Sequence, residues 1–280
     1  METTAAALDI DSADFADAFA RRSLAVHHGL SEHPLFSIDA IAELADRLPP
    51  QSVRREQHDL PLANSGFGYV DVGVGPPSES IKSVESSGIR VTLRDIQQVP
   101  EYAELINECL DQVEGLVAER EGGMTRRAGY LFISAPASTT PMHFDVEHSF
   151  LLQIAGTKHV GVATMYDDPA ARHRELDRYI DGQECDFDAM QATAVTTVIK
   201  PGVGVYLPSY VPHWVETEAG ISISFSIPFF TAHTEQVEGV SRINKRLRKL
   251  HFSPRPPGVS QRADQSKLMV FRSLQKVRGH

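Results

Sequence analysis

The sequence predicts a mainly β domain, a sandwich or barrel, with helices before and after it. Three observations carry this expectation. Between Tyr130 and Ile227, six short β-rich runs follow one another with Gly and Pro turns between them. Little helical periodicity interrupts them outside one acidic stretch, and successive short strands of this kind bury their apolar faces by packing sheet on sheet or by closing a barrel. On both flanks, 1–123 and 233–280, helical patterns take over, with apolar residues at three- and four-residue spacing in the clearest of them.

Taken in order, the N-terminal region predicts helix around Phe15 to Ala25 and again from Ile38 to Leu48, where Ile41, Leu44 and Leu48 repeat at helical spacing. Ser37 caps the second and Pro49-Pro50 stops it. From Gln51 to Ser87 the chain is rich in Gly, Pro and Ser and reads as loop, with one alternating run at Phe67 to Val72 of strand character. A strand at Ile89 to Leu93 precedes the best helix, which starts at Pro100, gathers Leu105, Cys109, Leu110, Val113, Leu116 and Val117 on one face, and ends at Gly122-Gly123.

The core, 124–232, then supplies strands at Tyr130–Ser134, Phe150–Ile154, Lys158–Met165, Val195–Ile199, Gly204–Leu207 and Ile221–Ile227. An insertion at 166–194 carries Asp167, Asp168, Asp177, Asp181, Glu184, Asp186 and Asp188 and a helix near Arg172 to Tyr179; it reads as a solvated acidic loop. The tail predicts a helix with an apolar stripe of Val240, Ile243, Leu247 and Leu250 beside five basic residues, and a second helix after Gln261.

Bulk properties exclude several classes of function. Hydrophobic content of 41% and charged content of 23% argue against disorder or a fibre. Lys and Arg total 27 against 37 Asp and Glu, a net charge of -10 that repels a phosphate backbone, so nucleic acid is not an expected partner. Two cysteines, Cys109 and Cys185, are too few for a disulfide framework and fit the reducing cytoplasm. No run approaches the roughly 18 apolar residues of a membrane span, and the first residues lack the basic start of a secretory signal.

The chemistry concentrates at Thr140-Pro-Met-His143-Phe-Asp145. Residues i and i+2 of an extended chain point the same way, so His143 and Asp145 can offer an imidazole and a carboxylate to one metal. Two His and one carboxylate on separate strands leave coordination positions open, the arrangement of non-haem Fe(II) oxygenases. His213 is the preferred third ligand because the turn Pro208-Ser-Tyr-Val-Pro212 fixes its direction, whereas His173, His233 and His251 lie in insertion or helix. A His-x-Asp arises about once by chance in a chain of this size and composition, so its weight comes from these neighbours.

From Tyr130 to Phe230 the chain resembles the JmjC hydroxylases, especially the cupin-like branch that includes the asparaginyl hydroxylase acting on hypoxia-inducible factor, most strongly at Thr140–Lys158 and Pro201–Glu216. The resemblance implies a double-stranded β-helix, or jelly roll, in which His143, Asp145 and His213 bind iron. It further implies that Lys158 pairs with the distal carboxylate of 2-oxoglutarate and that Thr140 hydrogen-bonds it; a dicarboxylate held by a metal at one end needs a cation at the other. Lys158 is expected to begin a strand pairing back along the one after His143. Tyr130, Phe150 and Trp214 are candidate walls of the cosubstrate pocket, Ser149 and Ser226 stand where relatives place Asn, and Glu147 is at most an indirect partner of the metal. Two departures are Val211-Pro212 before the last His, where relatives often carry aromatic residues, and Pro201-Gly202-Val203 in place of Pro-Gly-Asp.

The expected activity is Fe(II)-, 2-oxoglutarate- and O2-dependent hydroxylation of a C–H bond, with a side chain of a protein or peptide as leading substrate and a free amino acid or small metabolite next. A metal-binding cupin without 2-oxoglutarate and a non-catalytic regulatory module are the rivals. A homodimer through the C-terminal helices is the oligomer that the resemblance implies.

Overall fold

The computed structural model describes residues 7–57, 73–164, 169–180 and 185–278. Among them, the strands in chain order are β1 (Leu24–His27), β2 (Val53–Gln57), β3 (Ile89–Leu93), β4 (Met124–Thr125), β5 (Tyr130–Ser134), β6 (Thr139–His143), β7 (His148–Ala155), β8 (Lys158–Ala163), β9 (Ala194–Ile199), β10 (Val203–Leu207), β11 (His213–Thr217) and β12 (Ser222–Thr231). The helices are α1 (Ser12–Ala18), α2 (Ile38–Arg47), α3 (Pro77–Lys82), α4 (Val84–Ser87), α5 (Pro100–Glu121), α6 (Pro169–Ile180), α7 (Phe187–Ala192), α8 (Ala232–Lys249) and α9 (Gln261–Arg278).

The strands form two antiparallel sheets, one ordered β1-β10-β7-β12-β5-β3-β2 with β4 appended to β12, the other ordered β6-β11-β8-β9. This is the expected jelly roll. The large sheet alternates along its strands, apart from a register shift between Ile223 and Ser224 where β12 pairs with β7. Its outward residues, among them Leu131, Ile133, Phe150, Leu152, Tyr206, Phe225 and Phe229, merge with Phe15, Ile41, Leu44 and the buried face of α5 into one apolar core. Its inward residues meet the small sheet, where Leu151, Val205 and Leu207 pack on Val160 and Val162. The period-2 pleat thus gives one sheet two environments.

Several elements follow from their residues directly. Ser37 caps α2 by accepting a hydrogen bond from the Ala40 amide at 3.2 Å. Helix α5 opens on Pro100 and closes on Gly122, whose φ of 81° is the left-handed turn that glycine adopts without strain. Trp214 on β11 lies over its cross-strand partner Gly161, where a Cβ would sit 2.1 Å from the indole; the missing side chain makes room for the ring.

Other expectations are corrected. The helix expected at Phe15–Ala25 ends at Ala18, and Leu24–His27 instead pairs with β10 as an edge strand. Val53–Gln57, read as loop, is a strand paired with β3. The first 123 residues therefore do more than pack helices on the barrel: β1, β2 and β3 widen its large sheet. The turn at Ala155-Gly156-Thr157 does not close a hairpin, because β7 belongs to the large sheet and β8 to the small one. Lys158 accordingly pairs across from Thr217 on β11 and Ile199 on β9, not with the strand after His143. The run Phe67–Val72 lies outside the described residues, as do Asp167, Asp168, Asp181 and Glu184 of the insertion and the His173 side chain.

The insertion is also not simply a solvated loop. Asp177 on α6 is buried against α8, where it accepts from Asn244 Nδ2 at 3.0 Å and pairs with Arg248 at 3.2 Å. Of the expected stripe on α8, Val240 and Ile243 are buried while Leu250 is exposed. No described helix is long and apolar enough to cross a membrane.

Candidate metal centre

Three strand-end features assemble the site. His143 closes β6, His213 opens β11, and the two are direct cross-strand partners with rings 4.3 Å apart. Asp145, two residues beyond His143, is held by its carbonyl, which accepts from the Tyr210 amide at 2.8 Å. Tyr210 sits at φ 62° in the proline-bounded turn, and its hydroxyl donates to the Thr234 carbonyl at 2.9 Å, so the turn is anchored to α8. Asp145 Oδ2 lies 3.4 Å from His213 Nε2, and Oδ1 lies 3.8 Å from His143 Nε2.

Both imidazoles are oriented by the backbone. His143 Nδ1 lies 2.8 Å from the Pro141 carbonyl and His213 Nδ1 lies 3.1 Å from the Val211 carbonyl. A carbonyl only accepts, so Nδ1 carries the hydrogen and each Nε2 keeps its lone pair. The three donor groups, all within 4.8 Å of one another, form the one His, Cys, Asp and Glu cluster of metal-binding geometry among the described residues. An N,N,O set with oriented imidazoles fits a divalent first-row metal.

The electrostatics agree. Burial, and then the neighbouring His213, bring His143 down to about 4, so it is neutral near pH 7. Burial works against the Asp145 carboxylate, but the two imidazoles hold it well below the usual range, charged and ready to ligate. Although burial opposes it, the Asp145 carboxylate raises His213.

An odd spacing needs explanation. Thr140 and His143 are three residues apart, which in a regular strand puts them on opposite faces, yet both line one cavity. The register slips between His213 and Val215, so β6 carries an irregularity at Pro141 and Met142, where a proline without an N–H is tolerated. This bulge turns Thr140 and His143 to the same side.

The cavity, about 350 Å³, brings together nearly all the expected residues: His143, Asp145, His213, Thr140, Lys158, Tyr130, Ser149 and Ser226. Ser149 and Ser226 hydroxyls lie 2.8 Å apart, and the Arg94 guanidinium carbon lies 5.2 Å from the Tyr130 ring centre. Lys158 is buried, faces the Phe132 ring at 5.9 Å, and has no carboxylate partner among the described residues. Burial, and then the charge of Arg90, lower its ammonium from the ordinary 10.5 to about 7.

Phe150 and Trp214 do not line the cavity. Phe150 points outward into the helix-facing core, and Trp214 packs with Met142, Phe144 and Met190 behind the small sheet. His148 is fully buried elsewhere, between the Tyr206 hydroxyl at 2.7 Å and Glu121 at 3.1 Å. Sequence reasoning missed Tyr179 from the insertion, and Arg90, whose signal was a charge in the otherwise uncharged strand Ile89–Leu93. Glu147, expected only near the metal, lines the cavity; burial and then the Asp145 charge push it up to about 7.

A family model of the JmjC domain matches residues 110–237. That segment contains both histidines, Asp145, Thr140 and Lys158 of the site. No curated protein sequence matches the chain. Among solved structures, Escherichia coli ycfD superposes with a TM-score of 0.54 at 15% identity, over 96% of this chain and 68% of that one. A second structure of this protein, described as a ribosomal oxygenase, gives 0.50 at 15% identity, covering 96% and 67%. A third, in complex with cobalt and 2-oxoglutarate, gives 0.50 at 16% identity with the same coverage. At this identity the likeness establishes the jelly-roll fold.

Proposed function

We propose that the protein is an Fe(II)- and 2-oxoglutarate-dependent oxygenase that hydroxylates an unactivated C–H bond in an amino-acid side chain of a protein or peptide. One observation carries the reading: a His-Asp-His cluster with both Nε2 lone pairs presented shares a cavity with a buried lysine that lacks an anion. A metal and a dicarboxylate together satisfy both ends. The E. coli ribosomal oxygenase of the same fold, solved with cobalt and 2-oxoglutarate, supports both the cosubstrate and a protein substrate.

In this reading His143, Asp145 and His213 would hold iron. Bound iron supplies the oxidising chemistry, in which O2 converts 2-oxoglutarate to succinate and CO2 and the second oxygen atom enters the substrate C–H bond as a hydroxyl. The chain's own work is orientation. Lys158 and Thr140 fix the distal carboxylate, while Tyr130, Ser149 and Ser226 shape the wall beside it. Leu151, Leu207 and Val215 give the cavity apolar walls that strengthen those charged contacts.

We place the protein in the cytoplasm, consistent with the free thiols Cys109 and Cys185. A homodimer is proposed through α8 and α9, where Leu250, just past the end of α8, and Met269 and Val270, in the middle of α9, are exposed.

The test is conversion of 2-oxoglutarate to succinate by iron-loaded protein, followed by NMR, with mass spectrometry of candidate peptides for a 16 Da gain. The reading expects iron- and O2-dependent succinate formation, raised by substrate and lost in His213→Ala. Metal-loaded protein that never consumes 2-oxoglutarate, with or without cell protein, would overturn it.

A further inference from the structure

The cavity that contains the metal cluster also holds a second buried cation. Arg90 on β3 is 7% exposed, and each terminal nitrogen has one partner. Nη2 donates to Glu56 Oε2 at 2.8 Å, and Glu56 stands directly across from it on β2. Nη1 crosses to the other sheet and donates to Thr140 Oγ1 at 2.9 Å. Nε has no partner among the described residues. Arg90 lines the same cavity as Lys158 and Thr140.

The chemistry of that contact is one-directional. A guanidinium has donors and no acceptor, so Thr140 Oγ1 must be the acceptor and its own hydrogen must go elsewhere. No acceptor for it lies among the described residues, and the residue forms part of the cavity wall. Arg90 therefore sets the hydroxyl as a donor toward whatever fills the cavity. Arg90 is matched by Glu56, while Lys158 has no carboxylate partner among the described residues, a gap that suits one carboxylate.

We infer that Arg90 is a positioning residue for the distal carboxylate of the cosubstrate, orienting the Thr140 hydroxyl to donate to it. The inference rests on the 2-oxoglutarate reading above. Glu56 fixes the guanidinium, so that Arg90 acts mainly through Thr140 instead of swinging in as a direct ligand.

The test uses full-length protein loaded with Mn(II) and two probes, 2-oxoglutarate and 2-oxopentanoate, which keeps the 2-oxo acid end and lacks the distal carboxylate. Arg90→Met is expected to weaken 2-oxoglutarate by about 10- to 100-fold, the scale of one charge-assisted hydrogen bond, and to leave 2-oxopentanoate and Mn(II) affinity within about twofold. Thr140→Val should do the same, and the double variant should be no weaker than the worse single, because both remove one interaction. Arg90→Lys should recover part of the loss.

Because Arg90→Met strands a buried Glu56, the charge-balanced Glu56→Gln/Arg90→Met variant is measured alongside and should give the same discrimination. Equal losses for both probes, or additive losses with Thr140→Val, would overturn the inference and mark Arg90 as structural. Lys158-dependent 2-oxoglutarate binding that Arg90→Met leaves unchanged would overturn it while sparing the oxygenase reading. If the wild type binds no 2-oxoglutarate, both fall.

Discussion

Along β12, Ile223, Phe225, Ile227 and Phe229 point out into the helix-covered core, while Ser222, Ser224 and Ser226 point into the barrel. The outer face is apolar and close-packed, as a stability element should be. The inner face is buried yet polar: Gln153 ties Ser222 and Ser224 together at 2.8 Å each, Ser149 bonds Ser226, and Lys158 stands opposite on the small sheet without an anion. Burying such groups is costly unless they are satisfied. Where the inner face is fully paired it is scaffold; where a cation and a set of lone pairs stay unmet, it is prepared for ligands. Damage to the two faces should therefore differ in kind.

The sharpest contrast is at the metal cluster. His143→Ala should abolish metal-dependent turnover, at least a thousandfold, with little change in thermal stability, and metal titration with a melting curve checks both. On the other face Phe225→Ala should destabilise the fold by about 3–5 kcal/mol in urea unfolding, through transfer and cavity terms. Its metal affinity should persist in the folded fraction. A Phe225→Ala protein of native stability would break the comparison.

Lys158→Met sharpens it, because its two effects have opposite sign. It should weaken 2-oxoglutarate by about 10- to 100-fold while raising the stability of the ligand-free protein by about 1–3 kcal/mol, since it removes an unmatched buried charge. The same group sets a pH dependence. Its folded pKa, about 7, lies below the unfolded 10.5, so the unfolded chain holds more protons between those values. Stability of the ligand-free protein then rises with pH across that window. In the proposed reading cosubstrate binding needs the ammonium, so its affinity should fall above about pH 7 and binding should take up a proton. Calorimetry in buffers of different ionisation enthalpy reads that uptake directly. The smallest effect is expected for Ser224→Ala, about 1 kcal/mol of stability with cosubstrate affinity unchanged.

How much of this was legible in the sequence depends on whether a signal was local. The His143/Asp145 pair follows from the two-residue pleat, and His213 from a proline-bounded turn; both are short-range patterns that the fold preserves. The sheet partner of Lys158 was not legible, because a Gly turn looks the same whether the next strand folds back or crosses to the facing sheet. The Glu56–Arg90 pair joins residues 34 apart across strands of which only β3 read as strand, so neither charge had a reason to be buried. Thr140 reaches the cavity only through the bulge at Pro141, and Tyr179 only because α6 brings its ring to 5.3 Å from that of Phe144. Phe150 and Trp214 failed as pocket walls because parity alone does not say which face of a strand looks inward.

The measurement that tests the central claim most directly is an anaerobic titration of the metal-free protein with Fe(II) and then 2-oxoglutarate, followed by the visible metal-to-ligand charge-transfer absorption. The account predicts the band in the wild type, its absence in His143→Ala, and a shift to higher 2-oxoglutarate concentration in Lys158→Met. Iron binding with no band at any 2-oxoglutarate concentration, or a Lys158→Met titration identical to the wild type, would contradict it.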